Sequence, residues 1–218
     1  MVLGIYGTGG TGLEIFDLAQ SINALQNKWE RIVFINDFKT EPVINGVEVL
    51  TFDEFKTNLS PYNSKVVVAT GEPKVRQALR EKATASGYSL QTLAHPTASI
   101  GAGTQIDEGA IVQFGSFVSC KAKIGANCLI QNMSTVGHDS IIGSDTVISA
   151  FAFIGGACSV GERTYIGASV SVKEKIVIGA DSIIGIGSVV LRDIPENVIA
   201  FGNPARPMKN NDRGRVFK

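Results

Sequence analysis

His138 and Asp139 are the residues of this chain best suited to acid–base chemistry. There are only two histidines in 218 residues, and His138 is followed directly by a carboxylate. An imidazole titrates near neutrality, so an outward-facing histidine can take a proton at physiological pH, and an acid beside it can fix its tautomer and support the imidazolium. The sequence leaves open whether that acid is Asp139 or one from elsewhere, a neighbouring chain included. A second chemical element is Gly7-Thr8-Gly9-Gly10-Thr11-Gly12, a G-x-G-x-x-G, with Asn36-Asp37 ending a second strand 25 residues after Gly12. Glycines let a phosphate approach the backbone, a helix N-terminus attracts its charge, and a strand-end acid at about this spacing suits a nucleotide. Thr70-Gly71 ends a third strand on the same sheet edge, where ligands bind in open α/β folds. His95, in His95-Pro96-Thr97, reads as a structural residue where two domains join.

The element that positions His138 is a six-residue beat running from Ala94 to Pro195. Aliphatic openers recur from Ile100 and Ile106 through Val136 and Ile154 to Val190, and a mostly small residue follows each by four, as at Ser116, Ser134, Ala152 and Ser188. A fixed short period of this kind marks a hexapeptide β-helix. Three hexads make a triangular coil whose opener and small residue point inward, because the interior is too narrow for two large side chains per face. Residues eighteen apart then stack at about 4.8 Å. This places Gly156 one coil above His138 and Cys120 one coil below. A bare glycine corner beside a base lets a thioester approach, and its N–H can meet the carbonyl oxygen as charge develops. Cys120 reads as an inert corner residue, since direct transfer needs only a base.

The repeat must be capped at both ends, by residues 1–92 and by 201–218. In the first segment the pattern predicts strands at Val2–Tyr6, Arg31–Ile35, Lys65–Ala69 and Ser89–Leu93. Helices are expected at Leu13–Leu25, Phe52–Asn58 and Lys74–Ser86. Alternation of this kind gives a small Rossmann-like parallel α/β domain. With fewer than 95 residues it offers one mononucleotide half, so a nucleotide sugar fits better than NAD. Charge is balanced at 20 basic and 20 acidic residues, which disfavours a nucleic-acid binder. Arg206–Lys218, with five basic residues and one acidic, reads as a solvated tail. Three cysteines give no disulfide framework, and no signal peptide or membrane span is evident, so a soluble cytoplasmic protein is expected.

The chain resembles the left-handed β-helix acetyltransferases of the sialic-acid O-acetyltransferase type, which include N-acetyltransferases of nucleotide-linked 4-amino sugars. The resemblance spans residues 1 to about 208. It is carried by Tyr6–Gly12, Phe34-Ile35-Asn36-Asp37, His95-Pro96, Asn132-Met133-Ser134-Thr135-Val136-Gly137-His138-Asp139 and Gly202-Asn203-Pro204-Ala205-Arg206. It implies a homotrimer with acetyl-CoA in the groove between subunits, and no metal. Carried over residue by residue, it makes His138 the general base and Asp139 its acid, with Gly156 on the thioester oxygen. Ala168 and Ile186 would lie along the pantetheine, and Pro204 and Arg206 at the adenosine end. Gly9, Gly10, Thr11, Asn36, Asp37, Thr70 and Gly71 would hold the nucleotide. Two departures stand out: Val147 occupies the place of a second histidine common in relatives, and Gly137 that of an acid.

The expectation is an acetyl-CoA-dependent N-acetyltransferase acting on a UDP- or dTDP-linked 4-amino-4,6-dideoxy sugar for surface glycan synthesis. The rivals are O-acetylation of a sugar hydroxyl, a non-catalytic nucleotide-binding scaffold, and an NAD-linked enzyme.

Overall fold

Five strands build the first sheet: β1 (Val2–Tyr6), β2 (Arg31–Ile35), β3 (Val43–Ile44), β4 (Val47–Leu50) and β5 (Ser64–Val68), in the order β3-β4-β2-β1-β5. These come from a computed structural model that describes residues 1–217; Lys218, the end of the expected tail, lies outside the described residues. The helices are α1 (Gly10–Gln26), α2 (Phe52–Asn58) and α3 (Pro73–Ala85). From β1 the chain runs first to β2 on one side and later to β5 on the other. The topological switch point therefore lies between the ends of β1 and β5.

Most expected elements stand within a residue of their predicted bounds, with three differences. α1 begins at Gly10, so part of the glycine loop is already helix. The strand expected over Ser89–Leu93 reduces to a single bridge between Leu90 and Val66, and Leu93–Ala94 instead pairs with the coils. The β3–β4 hairpin was not anticipated. Its turn is Asn45-Gly46, with φ of 50° and 76°, the left-handed pair that a two-residue hairpin turn requires.

From Leu93 onward two-residue strands alternate with corners and stack into the three faces of a left-handed parallel β-helix. Face one carries Thr135–Val136 and Phe153–Ile154, face two Ile141–Ile142 and Ser159–Val160, face three Leu129–Ile130 and Val147–Ile148. The pairing register is eighteen residues throughout these ladders, as the repeat dictates. Openers from Val112 to Val190 are buried. The inward small position is often a hydroxyl for a polar reason as well as a steric one. Ser116, Ser134, Ser140, Thr146 and Thr164 donate to the carbonyls of Gln131, Ser149, Gly155, Gly161 and Gly179 at 2.8–3.0 Å. Each thereby satisfies a carbonyl turned into the interior.

Face three is where the α/β domain sits. Ile15, Leu18 and Ile22 of α1 join Leu93, Ile111, Leu129 and Val147 in one buried cluster. Val147 is therefore an apolar interdomain contact. A polar grip supplements it from α3. Arg76 is fully buried and donates to the carbonyls of Val68, Thr70 and Asn127, while Arg80 makes a two-pronged bond to Asp145. Asn127 also donates to Asp145 at 2.7 Å. Burial pulls the Arg76 guanidinium down to about 10, still charged at neutral pH.

The C-terminal stretch expected to be a solvated tail is structured. Val198–Gly202 and Ala205–Asn210 pair antiparallel and extend face three. Asn211 then turns to Gly214, and the backbone N–H groups of Val216 and Phe217 donate to the Glu72 carboxylate at 3.0 and 3.1 Å.

Candidate active site

His138 stands at the corner between faces one and two. Its Nδ1 lies 2.8 Å from Asp139 Oδ2, with both side chains more than half exposed. The acid left open by the sequence is thus at hand within the chain. A carboxylate accepts only, so Nδ1 carries a hydrogen, and in the neutral ring Nε2 then presents the lone pair. Nε2 is aimed at Gly156: a Cβ built there would be 2.5 Å from it. Among the described residues no backbone carbonyl accepts the Gly156 N–H. The corner therefore offers a base and an unengaged donor side by side. Gly137 has its own reason to be glycine, because a Cβ there would meet the backbone of Gly155 and Gly156 at 2.5 Å. Cys120 is an exposed corner residue whose carbonyl accepts from Asp139 N–H. Cys128 and Cys158 point inward, and burial pushes the Cys128 thiol up to about 12, so neither is a nucleophile.

The residues assigned to acetyl-CoA do not share one corner. Ala168 and Ile186 stack on each other at the corner between faces three and one, and Ile186 is 78 % exposed. Gly156 is on the next corner. Pro204 and Arg206 are exposed and lie in the terminal hairpin, away from His138 in the coil stack.

In the α/β domain, packing accounts for two glycines of the motif and leaves two unexplained. Gly7 has φ of +132° and its Cβ would strike Ala69 O; a Cβ on Gly12 would strike Gly7 O at 2.3 Å. A Cβ built on Gly9 or Gly10 would meet nothing within 4 Å, so their bare faces are free for an approaching group. Gly9 caps α1 without a side-chain bond, and the helix has no acid in its first turn. Its opening amides are thus unopposed. Asn36 donates to Thr8 Oγ1 and accepts from Phe38 N–H, which ties the β2 end to the glycine loop. Asp37 is held inside the chain by Tyr6, Lys82 and the Phe52 N–H. Burial raises its pKa, but these bonds outweigh that and leave it below the usual value. Thr70 gives its carbonyl to Arg76. Gly71 lies under the ring of Phe217 and beside Thr11. His95 binds Thr97 Oγ1 at 2.8 Å and meets Phe114 edge-on. It borders a cavity of about 210 Å³ with Glu14, Asp17, Gln113 and Asn132.

Sequence reasoning passed over Arg76, Arg80 and Asp145. Their signal was present: two arginines four apart on α3, and Asn127, Asp145, Arg163 and Asp181 recurring at eighteen on one corner.

Residues 2–83 match the model of the PglD N-terminal domain, and residues 121–156 that of the bacterial transferase hexapeptide (six repeats). A GDP-perosamine N-acetyltransferase of Escherichia coli O157:H7 is 32% identical over 138 residues, 62% of this chain; the match spans 62% of that protein's length. PerB from Caulobacter crescentus, solved with CoA and GDP-perosamine, superposes with a TM-score of 0.84 at 31% identity, covering 95% of this chain and 97% of that one. The acetyltransferase domain of PglB from Neisseria gonorrhoeae FA1090, in complex with acetyl coenzyme A, does so with a TM-score of 0.89 at 28% identity over 95% and 98%. No helix among the described residues is long and apolar enough to cross a membrane.

Proposed function

Since this chain belongs to the hexapeptide-repeat sugar N-acetyltransferases, we propose that it moves an acetyl group from acetyl-CoA to the amine of a nucleotide-linked amino sugar, with His138 as general base. The observation that carries this reading is the His138 corner: Nδ1 engaged by Asp139 at 2.8 Å, Nε2 free, and Gly156 bare beside it. Acetyl-CoA supplies the activated acyl group. The chain supplies the rest. As the sugar nitrogen bonds to the acyl carbon it becomes positively charged, and Nε2 removes its proton. Asp139 supports the resulting imidazolium. The Gly156 N–H donates to the oxygen that becomes negative in the tetrahedral adduct. Collapse of that adduct breaks the C–S bond, and CoA leaves as the free thiol with the proton that the imidazolium returns. A catalytic base of this kind contributes about 10² to 10⁴ in rate.

The nucleotide reading rests on Gly9 and Gly10, whose missing side chains packing does not require, and on the unopposed start of α1 at the switch point. Asn36 ties to that loop through Thr8, Asp37 follows it at the end of β2, and Thr70 and Gly71 follow β5 on the side of Thr11. The sequence pointed to UDP or dTDP; the relatives' GDP-perosamine adds GDP. We further propose a cytoplasmic homotrimer. Exposed Phe117 and Phe153 on face one and Ile141 and Val177 on face two supply apolar surface for it. Gly156 and the Ala168–Ile186 pair stand on different corners, which supports a ligand shared between two chains.

The test is thiol release from acetyl-CoA with GDP-, UDP- and dTDP-linked 4-amino sugars and with free sialic acid. Release with a nucleotide-linked amino sugar supports the proposal. Release with sialic acid alone moves the assignment to a hydroxyl acceptor, and no release with any of them refutes the enzymatic reading.

A further inference from the structure

The C-terminal strap, residues 211–217, is held at both ends. Asn211 donates to the Asp181 carbonyl at the far end of the β-helix, and the Val216 and Phe217 amides bind Glu72 on the α/β domain. Glu72 is nearly buried, so this is a specific seat for the strap. Between, the strap turns through Gly214, whose φ is +55° and whose bare face takes the end of Lys74. The strap closes over an open cavity of about 710 Å³, within the range of small-ligand sites. Its lining combines an aromatic wall, Phe217, with Lys209, Arg213 and Arg215 against one acid, Asp212. Among the described residues none of those three cations is in an ion pair.

Phe217 links this cavity to the switch point. Its ring atoms lie 3.6 and 3.9 Å from where a Cβ of Gly71 would be, beside Thr11 Oγ1, and it stands perpendicular to Tyr165 with ring centroids 5.7 Å apart. The ring is thus packed on Gly71 and perpendicular to Tyr165, yet 54 % of the residue stays exposed. A packed, half-open aromatic face stacks a base, and unpaired guanidinium groups beside it bind phosphate oxygens.

We propose that the strap builds a pocket for a phosphorylated nucleoside, with the base on Phe217 and the phosphates on Arg213 and Arg215. The inference rests on the proposed reaction, which has two ligands of this chemistry: the nucleoside diphosphate of the sugar and the 3′,5′-phosphorylated adenosine of CoA. Contiguity with Gly71 and Thr11 favours the first.

The experiment is calorimetric titration of the full chain with UDP, dTDP and GDP in one arm and adenosine 3′,5′-bisphosphate in the other. It is repeated on Phe217→Ala and on the Arg213→Ala/Arg215→Ala double variant. All three proteins are checked for an unchanged unfolding midpoint. The expected result is a dissociation constant about tenfold or more weaker in both variants for one arm only, and that arm names the source. Equal binding by wild type and variants overturns the pocket and leaves the acetyl-transfer reading standing. Tighter binding by Phe217→Ala also overturns it, since the ring would then obstruct the site. If wild type binds nothing in either arm, the pocket and the nucleotide reading fall together.

Discussion

Replacing Gly156 by alanine adds one methyl group at the point where the His138 ring lies closest. That methyl would stand 2.5 Å from Nε2, 2.8 Å from Cε1 and 3.0 Å from Cδ2. Carbon atoms in contact settle at about 3.5–4.0 Å, so the ring must withdraw by roughly 1 Å. A displacement of about 1 Å at a reacting group costs on the order of 10²-fold in rate. Complete loss of the base would cost up to about 10⁴-fold. The expected fall in kcat for Gly156→Ala is therefore about 10²- to 10⁴-fold, or roughly 2.7–5.5 kcal/mol of barrier. Stability is a separate matter. The obstructing atoms are the end of an exposed side chain that can swing aside, and Gly156 does not have a left-handed φ, so the fold accepts alanine there. Gly155→Ala is the contrast: its methyl would strike the backbone of Glu174 at 2.5 and 2.8 Å, and the coil itself must shift. The assay is steady-state thiol release on both variants, with thermal unfolding run in parallel. Gly156→Ala should melt like wild type and turn over poorly, whereas Gly155→Ala should melt early. A Gly156→Ala protein with wild-type kcat would refute the placement of the base.

Asp139→Asn should keep the fold and lower kcat by about tenfold or more, because an amide at that place does not hold the imidazolium; an unaltered pH–rate profile would argue for a different acid. Asp145→Ala leaves Arg80 and the buried Asn127 amide without their acceptor, and losing one partner of a buried pair costs about 3–5 kcal/mol; urea unfolding should show it, and a loss under 1 kcal/mol would mean that this ion pair does not hold the domains together. The bond from Arg163 holds the Asp181 carboxyl below its usual range, with its partial burial acting the other way. Its contribution is therefore complete above the unfolded-chain pKa of about 3.9 and fades as pH falls through the lower folded value. Unfolding midpoints of wild type and Asp181→Asn should converge at low pH, and parallel curves would contradict this. Val147→His should destabilise by about 1–3 kcal/mol without raising turnover, since it buries a polar ring between the domains; increased activity would show that this position reaches the substrate.

The eighteen-residue period made His138 and Gly156 neighbours on paper, because stacking register in a β-helix is purely a matter of counting. The partner of His138 did not follow from counting, since the side chain of an adjacent residue can turn either way. It took the left-handed backbone at Asp139, φ of 57°, and the 2.8 Å contact to decide. Asp37 shows the opposite limit. Its place at a strand end suggests a ligand contact, but its partners, Tyr6, Lys82 and the Phe52 amide, come from three other segments. Nothing local encodes that meeting. The same holds for Arg76, whose acceptor on the Asn127 corner is reached only once the domains have docked, while its acceptor on β5 lies within its own domain. The Asn45-Gly46 turn was written locally and passed over; the hydrophobic runs beside it are too short to draw attention.

A stack of coils has two loose ends, each touching only its neighbour, and such assemblies melt from the ends inward. The tie between Glu72 and the last described residues changes that geometry. It closes the linear stack into a ring, joining its final coil to the domain that docks on its first ones. Fraying at one end must then loosen the other, so the molecule should come apart as a unit under heat, and under pulling force in two steps, the clasp opening before the coils.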